Sequence, residues 1–236
     1  MSNYVKSILF AAVLSIVCGG LLTLASTGLK AYQLKNIALD RQKNILKSVG
    51  LIDEKKTPSL ETIDRLYQDN IKQVWIDING NFVPKDKKTE HDLPLYLQVK
   101  DSDIESYIIP VDSRGLWGRI LGYLAMKNDG TTVSGFTVYS HSETPGLGGE
   151  IAKDWFQQNF AGKKITDEQG SLVSITITKG KVEERISKKL RPHFVDGISG
   201  ASLTGKLLSG GLKDTLIEYE PLSERFRKNE IKSVRD

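Results

Sequence analysis

The sequence predicts an α+β protein: one N-terminal transmembrane helix, then a mixed α/β domain whose sheet is mainly antiparallel. Three observations carry this. Ser7 to Leu29 is a run of 23 residues without a charge, about 34 Å long as a helix against a hydrocarbon core of about 30 Å. Beyond it, β-rich runs follow one another around short turn signals such as Asn79-Gly80 and Asn128-Asp129-Gly130, which is a hairpin pattern. Helical periodicity returns between and after those runs. With 39% apolar and 26% charged residues, the composition is that of a globular chain and excludes general disorder.

The first element, flanked by Lys6 and Lys30, reads as an uncleaved anchor. Its uncharged run exceeds a signal-peptide core, and Thr23-Leu24-Ala25 is a weak cleavage site. Ser15-Ile16-Val17 before Cys18 argues against lipidation there. Lys30, Lys35, Arg41 and Lys43 outweigh Lys6 and the N-terminus, so flanking charge alone leans toward a cytoplasmic C-terminal domain.

From Ala31 to Val49 a helical period through Leu34, Ile37, Ala38, Leu39, Ile45, Leu46 and Val49 predicts a stalk, stopped by Gly50. Pro58 opens a helix over Ser59 to Asn70 with Leu60, Ile63, Leu66 and Tyr67 on one face. Val74–Ile78 and Phe82-Val83 form a hairpin, Lys85–Asp92 an exposed loop, and Leu95–Val99, Ser106–Val111, Arg119–Met126 and Thr132–Ser140 further strands. A helix over Ile151–Phe160, a strand over Ser174–Thr178 and a helix over Leu207–Tyr219 precede a charged, solvated tail. The expected organisation is therefore 1–30 for the cytoplasmic N-terminus and membrane helix, 31–58 for the stalk, 59–221 for the domain and 222–236 for the tail.

Several function classes fall away. The net charge of +4 comes without a basic run interleaved with aromatics, so no nucleic-acid partner is expected. Cys18 is the only cysteine, and His91, His141 and His193 lie far apart, so no metal site is indicated.

Two stretches carry chemistry. Val195–Thr204 packs small residues, Asp196 and three hydroxyls into ten positions, which lets backbone and an unhindered hydroxyl approach a phosphate-bearing group. His141–Glu150 follows a predicted strand and precedes a predicted helix, and its glycines suit an anion-friendly turn. Gly146, Gly148 and Gly149 do not fit G-x-G-x-x-G, and no Lys-Ser/Thr follows for a Walker loop. Hydrolase chemistry is disfavoured because G-x-S-x-G is absent.

The order and spacing of Gly115-Leu116-Trp117, Glu143–Glu150 and Asp196–Ser202 behind one membrane helix resemble the C-subunit family of Na(+)-translocating NADH:quinone reductases. The chain is also similar to the G-type subunits of the related ferredoxin/NAD electron-transport complex; Gly-Leu-Trp and Gly-Gly-Glu favour the former. The resemblance implies an FMN-binding domain with FMN held covalently, as a phosphodiester added by a separate flavin transferase. The family's attachment residue is a threonine, and here that position is Ser202. A serine hydroxyl makes the same ester, so Ser202 is the expected acceptor and Thr204 the alternative. Ser199, Gly200, Ala201 and Leu203 complete the attachment loop, and Asp196 is expected to present it or to bind the transferase's metal. By the same resemblance Glu143, Thr144, Gly146 and Leu147 pack against the flavin, with Leu116 and Trp117 nearby.

The resemblance further implies a single-pass protein of the bacterial inner membrane with its main domain in the periplasm, against the charge lean. Its partners would be the other subunits of the redox pump and the lipid membrane. Electrons would pass through the flavin as NADH reduces quinone and Na+ is exported. A noncovalent flavin- or nucleotide-binding domain and a structural assembly subunit remain as rival readings.

Overall fold

In the computed structural model, residues 2–52 and 58–233 are described. The chain divides into two units, Met1–Asp40 and Arg41–Asp236. Helix α1 (Asn3–Ser48) supplies the first unit, and its last residues, 41–48, belong to the second. Among the described residues it is the one helix long and apolar enough to cross a membrane, and none of its most apolar window is buried. The membrane run predicted from sequence thus belongs to a longer helix, which ends where Gly50 turns with φ +73°. Residues 53–57, inside the predicted stalk, lie outside the described residues.

The second unit is an α+β fold. Helix α2 (Leu60–Asn70) starts where predicted, with the Thr62 amide donating to Ser59 Oγ at 3.3 Å, a serine cap that satisfies a free N–H of the first turn. Strands β1 (Ile71–Ile76), β2 (Phe82–Val83), β3 (Leu93–Lys100), β4 (Asp103–Arg114), β5 (Arg119–Lys127) and β6 (Val133–Ser140) form one sheet in the order β2-β1-β3-β4-β5-β6. Every neighbouring pair is antiparallel.

The sheet is covered on both faces, which explains why β4 and β5 read as nearly continuous apolar runs. One face of β4 offers Tyr107, Ile109 and Val111 to the main core with Leu208, Leu212, Leu216 and Phe226. The opposite face carries Ile108, Tyr123 and Ala125, covered by Ile45 and Leu46 of α1 and Ile63 of α2. The end of the predicted stalk is therefore a core element of the domain.

The remaining elements are short: α3 (Asp154–Gln157), β7 (Thr176–Ile177), α4 (Val182–Arg185) and β8 (Phe194–Val195), followed by the long α5 (Ser202–Arg227). The helix predicted over Ile151–Phe160 is broken, because Lys153 takes an extended conformation between a 3-10 turn and α3. That break lets Ile151, Phe156 and Phe160 all reach the core. The strand predicted over Ser174–Thr178 shortens to β7, which pairs in parallel with β8.

The predicted tail needs correction. Helix α5 continues through Pro221 to Arg227, and Leu222, Ser223 and Phe226 are buried. Arg225 and Arg227 donate to the carbonyls of Gly80 and Gly130 at 2.7 and 2.9 Å, tying the last turns of α5 to two β-turns. Beyond the helix, Ile231 is buried and the Ile104 amide donates to Lys232 O at 3.0 Å. A solvated tail from 222 is incompatible with these contacts.

Tyrosines on both faces give the unit an alkaline limit. Burial pushes Tyr67 up to about 12 and raises Tyr96, Tyr107, Tyr123 and Tyr219 above the ordinary phenol value. A raised folded-state pKa favours the protonated form in the fold. The associated stability is present below the unfolded value near 10 and is lost as pH rises through the folded values. Thermal denaturation of the full chain in detergent should therefore show a melting temperature little affected by these phenols up to about pH 10 and falling steeply toward pH 12.

Candidate functional site

Three loops far apart in sequence meet at one end of the sheet. The β4–β5 hairpin closes through the Gly115 amide, which donates to Gly118 O at 2.7 Å, and carries Leu116 and Trp117 at its tip. The β6 exit loop folds back through the Leu147 and Gly149 amides, both donating to Thr144 O. The third loop runs from β8 into α5, turning at Gly200 with φ +75°. Together they line a pocket of about 380 Å³ formed by Leu116, Trp117, Glu143, Thr144, Leu147, Gly148 and the run Gly200–Thr204.

Glu143 ties the three loops together. Its Oε1 accepts from the Trp117 amide at 3.0 Å, and its Oε2 accepts from Thr204 Oγ1 at 2.5 Å. Its own amide donates to His141 Nδ1 at 3.1 Å. Both Glu143 and Thr204 are buried, at 4% and 2% exposure. The approach is close enough to need glycine on the opposite wall: a Cβ at Gly148 would stand 2.5 Å from Glu143 Oε2 and 2.6 Å from Thr204 Oγ1. Bare backbone there keeps the floor of the cradle open.

The two candidate hydroxyls differ in their surroundings. Ser202 is the first residue of α5, exposed and on the pocket wall. Thr204 is buried with its proton committed to Glu143. No side chain caps the N-terminus of α5, so its free amides and the positive end of the helix dipole face the pocket mouth.

Some predicted site residues lie outside the pocket. Asp196 Oδ1 accepts from the Val182 amide at 2.8 Å, pinning the β8–α5 loop to the start of α4. Burial pulls the nearby Lys163 ammonium below its ordinary value, and the Asp196 charge opposes that shift. Ser199 is exposed beside the pocket, and Gly146 forms a turn apex with φ +75°. Gly148 and the orienting His141 also belong to the site. The sequence marks those two only through the Gly-rich turn that contains them.

The arrangement fits FMN. Leu116, Trp117, Leu147 and Leu203 are exposed apolar side chains around the cavity, suited to a flat aromatic ring. The volume lies within the usual range for small-molecule sites, and a helix N-terminus without a side-chain cap is suited to a phosphate. Residues 115–217, from the hairpin tip into α5, match the FMN-binding domain family.

The C subunit of the Na(+)-translocating NADH-quinone reductase from Yersinia pestis is 30% identical, with 97% of this chain and 95% of that protein covered. Its counterpart from Neisseria meningitidis serogroup B is 33% identical over 88% of each chain. The chain belongs to this C-subunit family. A crystal structure of the Parabacteroides distasonis member superposes with a TM-score of 0.70 at 29% identity, covering 83% of this chain and 96% of that one. Family membership makes the chain a membrane-anchored component of an oxidoreductase complex, whose other subunits are its partners. FMN is the cofactor supported by the domain match.

Proposed function

We propose that the chain carries FMN esterified to Ser202 Oγ and relays electrons between subunits of a sodium-exporting NADH:quinone reductase. The observation that carries this reading is the contrast between Ser202, open at the head of α5, and Thr204, buried against Glu143. Only the former is presented to an incoming flavin transferase.

When bound, FMN supplies the electron storage that no side chain of this chain offers. The protein's part is placement. The amides at the N-terminus of α5 would hold the phosphate, Glu143 and Thr204 close the floor of the pocket, and Leu116, Trp117, Leu147 and Leu203 would shield a bound ring from water. Attachment at Ser202 prevents loss of the carrier. The domain is extracytoplasmic in this reading, which follows the family resemblance; the flanking charges oppose it only weakly, because long domains translocate largely regardless of them.

The test is intact-mass and peptide-mapping spectrometry of the denatured full chain after coexpression with a flavin transferase. The expected result is a gain of one FMN less one water on the peptide containing Ser202. An unmodified chain would overturn the phosphodiester and favour noncovalent binding or a structural role.

A further inference from the structure

The floor of the pocket holds a buried carboxyl group that a tie between the loops does not require. Glu143 is buried, and both of its oxygens accept hydrogen bonds, from Thr204 Oγ1 and the Trp117 amide. Among the described residues no Lys or Arg forms an ion pair with it. A carboxylate in that setting has given up hydration without a cation in return. As a tie between loops, a neutral glutamine would serve as well. Its carbonyl would accept from the Trp117 amide and its NH2 would donate to Thr204, with no charge to desolvate.

We infer that Glu143 poises the flavin's reduction potential, acting as a fixed negative charge in the pocket wall. This rests on the FMN reading above. Each electron added to the flavin without a proton adds one negative charge, and a buried carboxylate beside the pocket opposes that gain through a low dielectric. The flavin is thereby held at a lower potential, ready to give its electron onward. The Thr204 hydroxyl and the Trp117 amide moderate the charge and fix its position.

Spectroelectrochemical titration of the flavin-loaded full chain tests this. Glu143→Gln should shift the one-electron equilibrium toward reduction at least tenfold, about 59 mV upward. Glu143→Asp, which keeps the charge, should stay near the unmutated value. Thr204→Val removes a donor that moderates the carboxylate and should move the potential downward, a readout that survives even where Glu143→Gln fails to fold. A Glu143→Gln chain with flavin in place and its potential unmoved overturns the inference alone, as does an unmoved Thr204→Val chain. Absence of flavin on the unmutated chain overturns the FMN reading and the inference with it.

Discussion

Phe226→Ala is expected to destabilise the 41–236 unit by about 3–5 kcal/mol, the range for removing a large aromatic from a core. The side chain is 1% exposed and stacks on Tyr107 with centroids 4.5 Å apart and planes 2° from parallel. Tyr107 is itself fully buried and donates to Ser223 Oγ at 2.8 Å, one turn earlier on α5. The truncation therefore leaves a cavity beside a hydrogen-bonded phenol that cannot easily move to fill it. For a unit of this size the loss corresponds to a melting temperature lower by about 6–20 °C. Thermal denaturation of the full chain in detergent would measure it, with the half-exposed Ile217→Ala on the same helix as a comparator that should change little. Equal, small shifts for both would mean that the end of α5 is not packed as described.

That this phenylalanine falls beyond the expected domain boundary shows where sequence reasoning stops. The last fifteen residues read as a solvated tail because they are highly charged, yet the helix runs on through Pro221. Here Arg225 and Arg227 anchor the turns beyond it to the Gly80 and Gly130 carbonyls, and buried Leu222 and Phe226 hold the helix on the sheet. The start of α5, ahead of the predicted Leu207, was hidden by composition. Gly205 is a poor helix former, yet a Cβ there would press on Ile177 at 3.0 Å, and one at Gly211, within the predicted helix, on Ser113 at 2.2 Å. Close packing selected Gly205 and Gly211, and tertiary contact overrode propensity.

Elements with a strong local signal were legible. The β1–β2 hairpin about Asn79-Gly80, the β5–β6 connection about Asn128-Asp129-Gly130 and the α2 pattern after Pro58 each follow from signals within a few residues. The site was legible from residue spacing as three separate motifs, and only the family resemblance set them around one flavin. Trp117, Glu143 and Thr204 are brought together by the antiparallel order of β4, β5 and β6 and by the placement of α5, and spacing along the chain encodes none of this.

The same geometry separates the two candidate acceptors. Ser202→Ala is expected to abolish covalent flavin entirely, whereas Thr204→Val should retain it, as read by peptide mapping of the denatured full chain. Ser202 is exposed at the first residue of α5, where an ester phosphate would lie next to free helix amides. To serve as acceptor, Thr204 would have to break its bond to Glu143 and emerge from 2% exposure. That would leave a buried carboxylate short of a donor, at a cost of about 1–3 kcal/mol or more. Valine matches threonine in shape, so the pocket floor should persist without the hydroxyl, with the same cost for the unpaired Glu143 oxygen falling on stability. Flavin lost only in Thr204→Val would reverse the assignment and require the helix start to open during attachment. Loss in both variants would make the Thr204–Glu143 tie a condition for presenting Ser202 to the transferase. In that case a loaded Thr204→Ser chain, which restores the hydroxyl, would identify the tie as the cause.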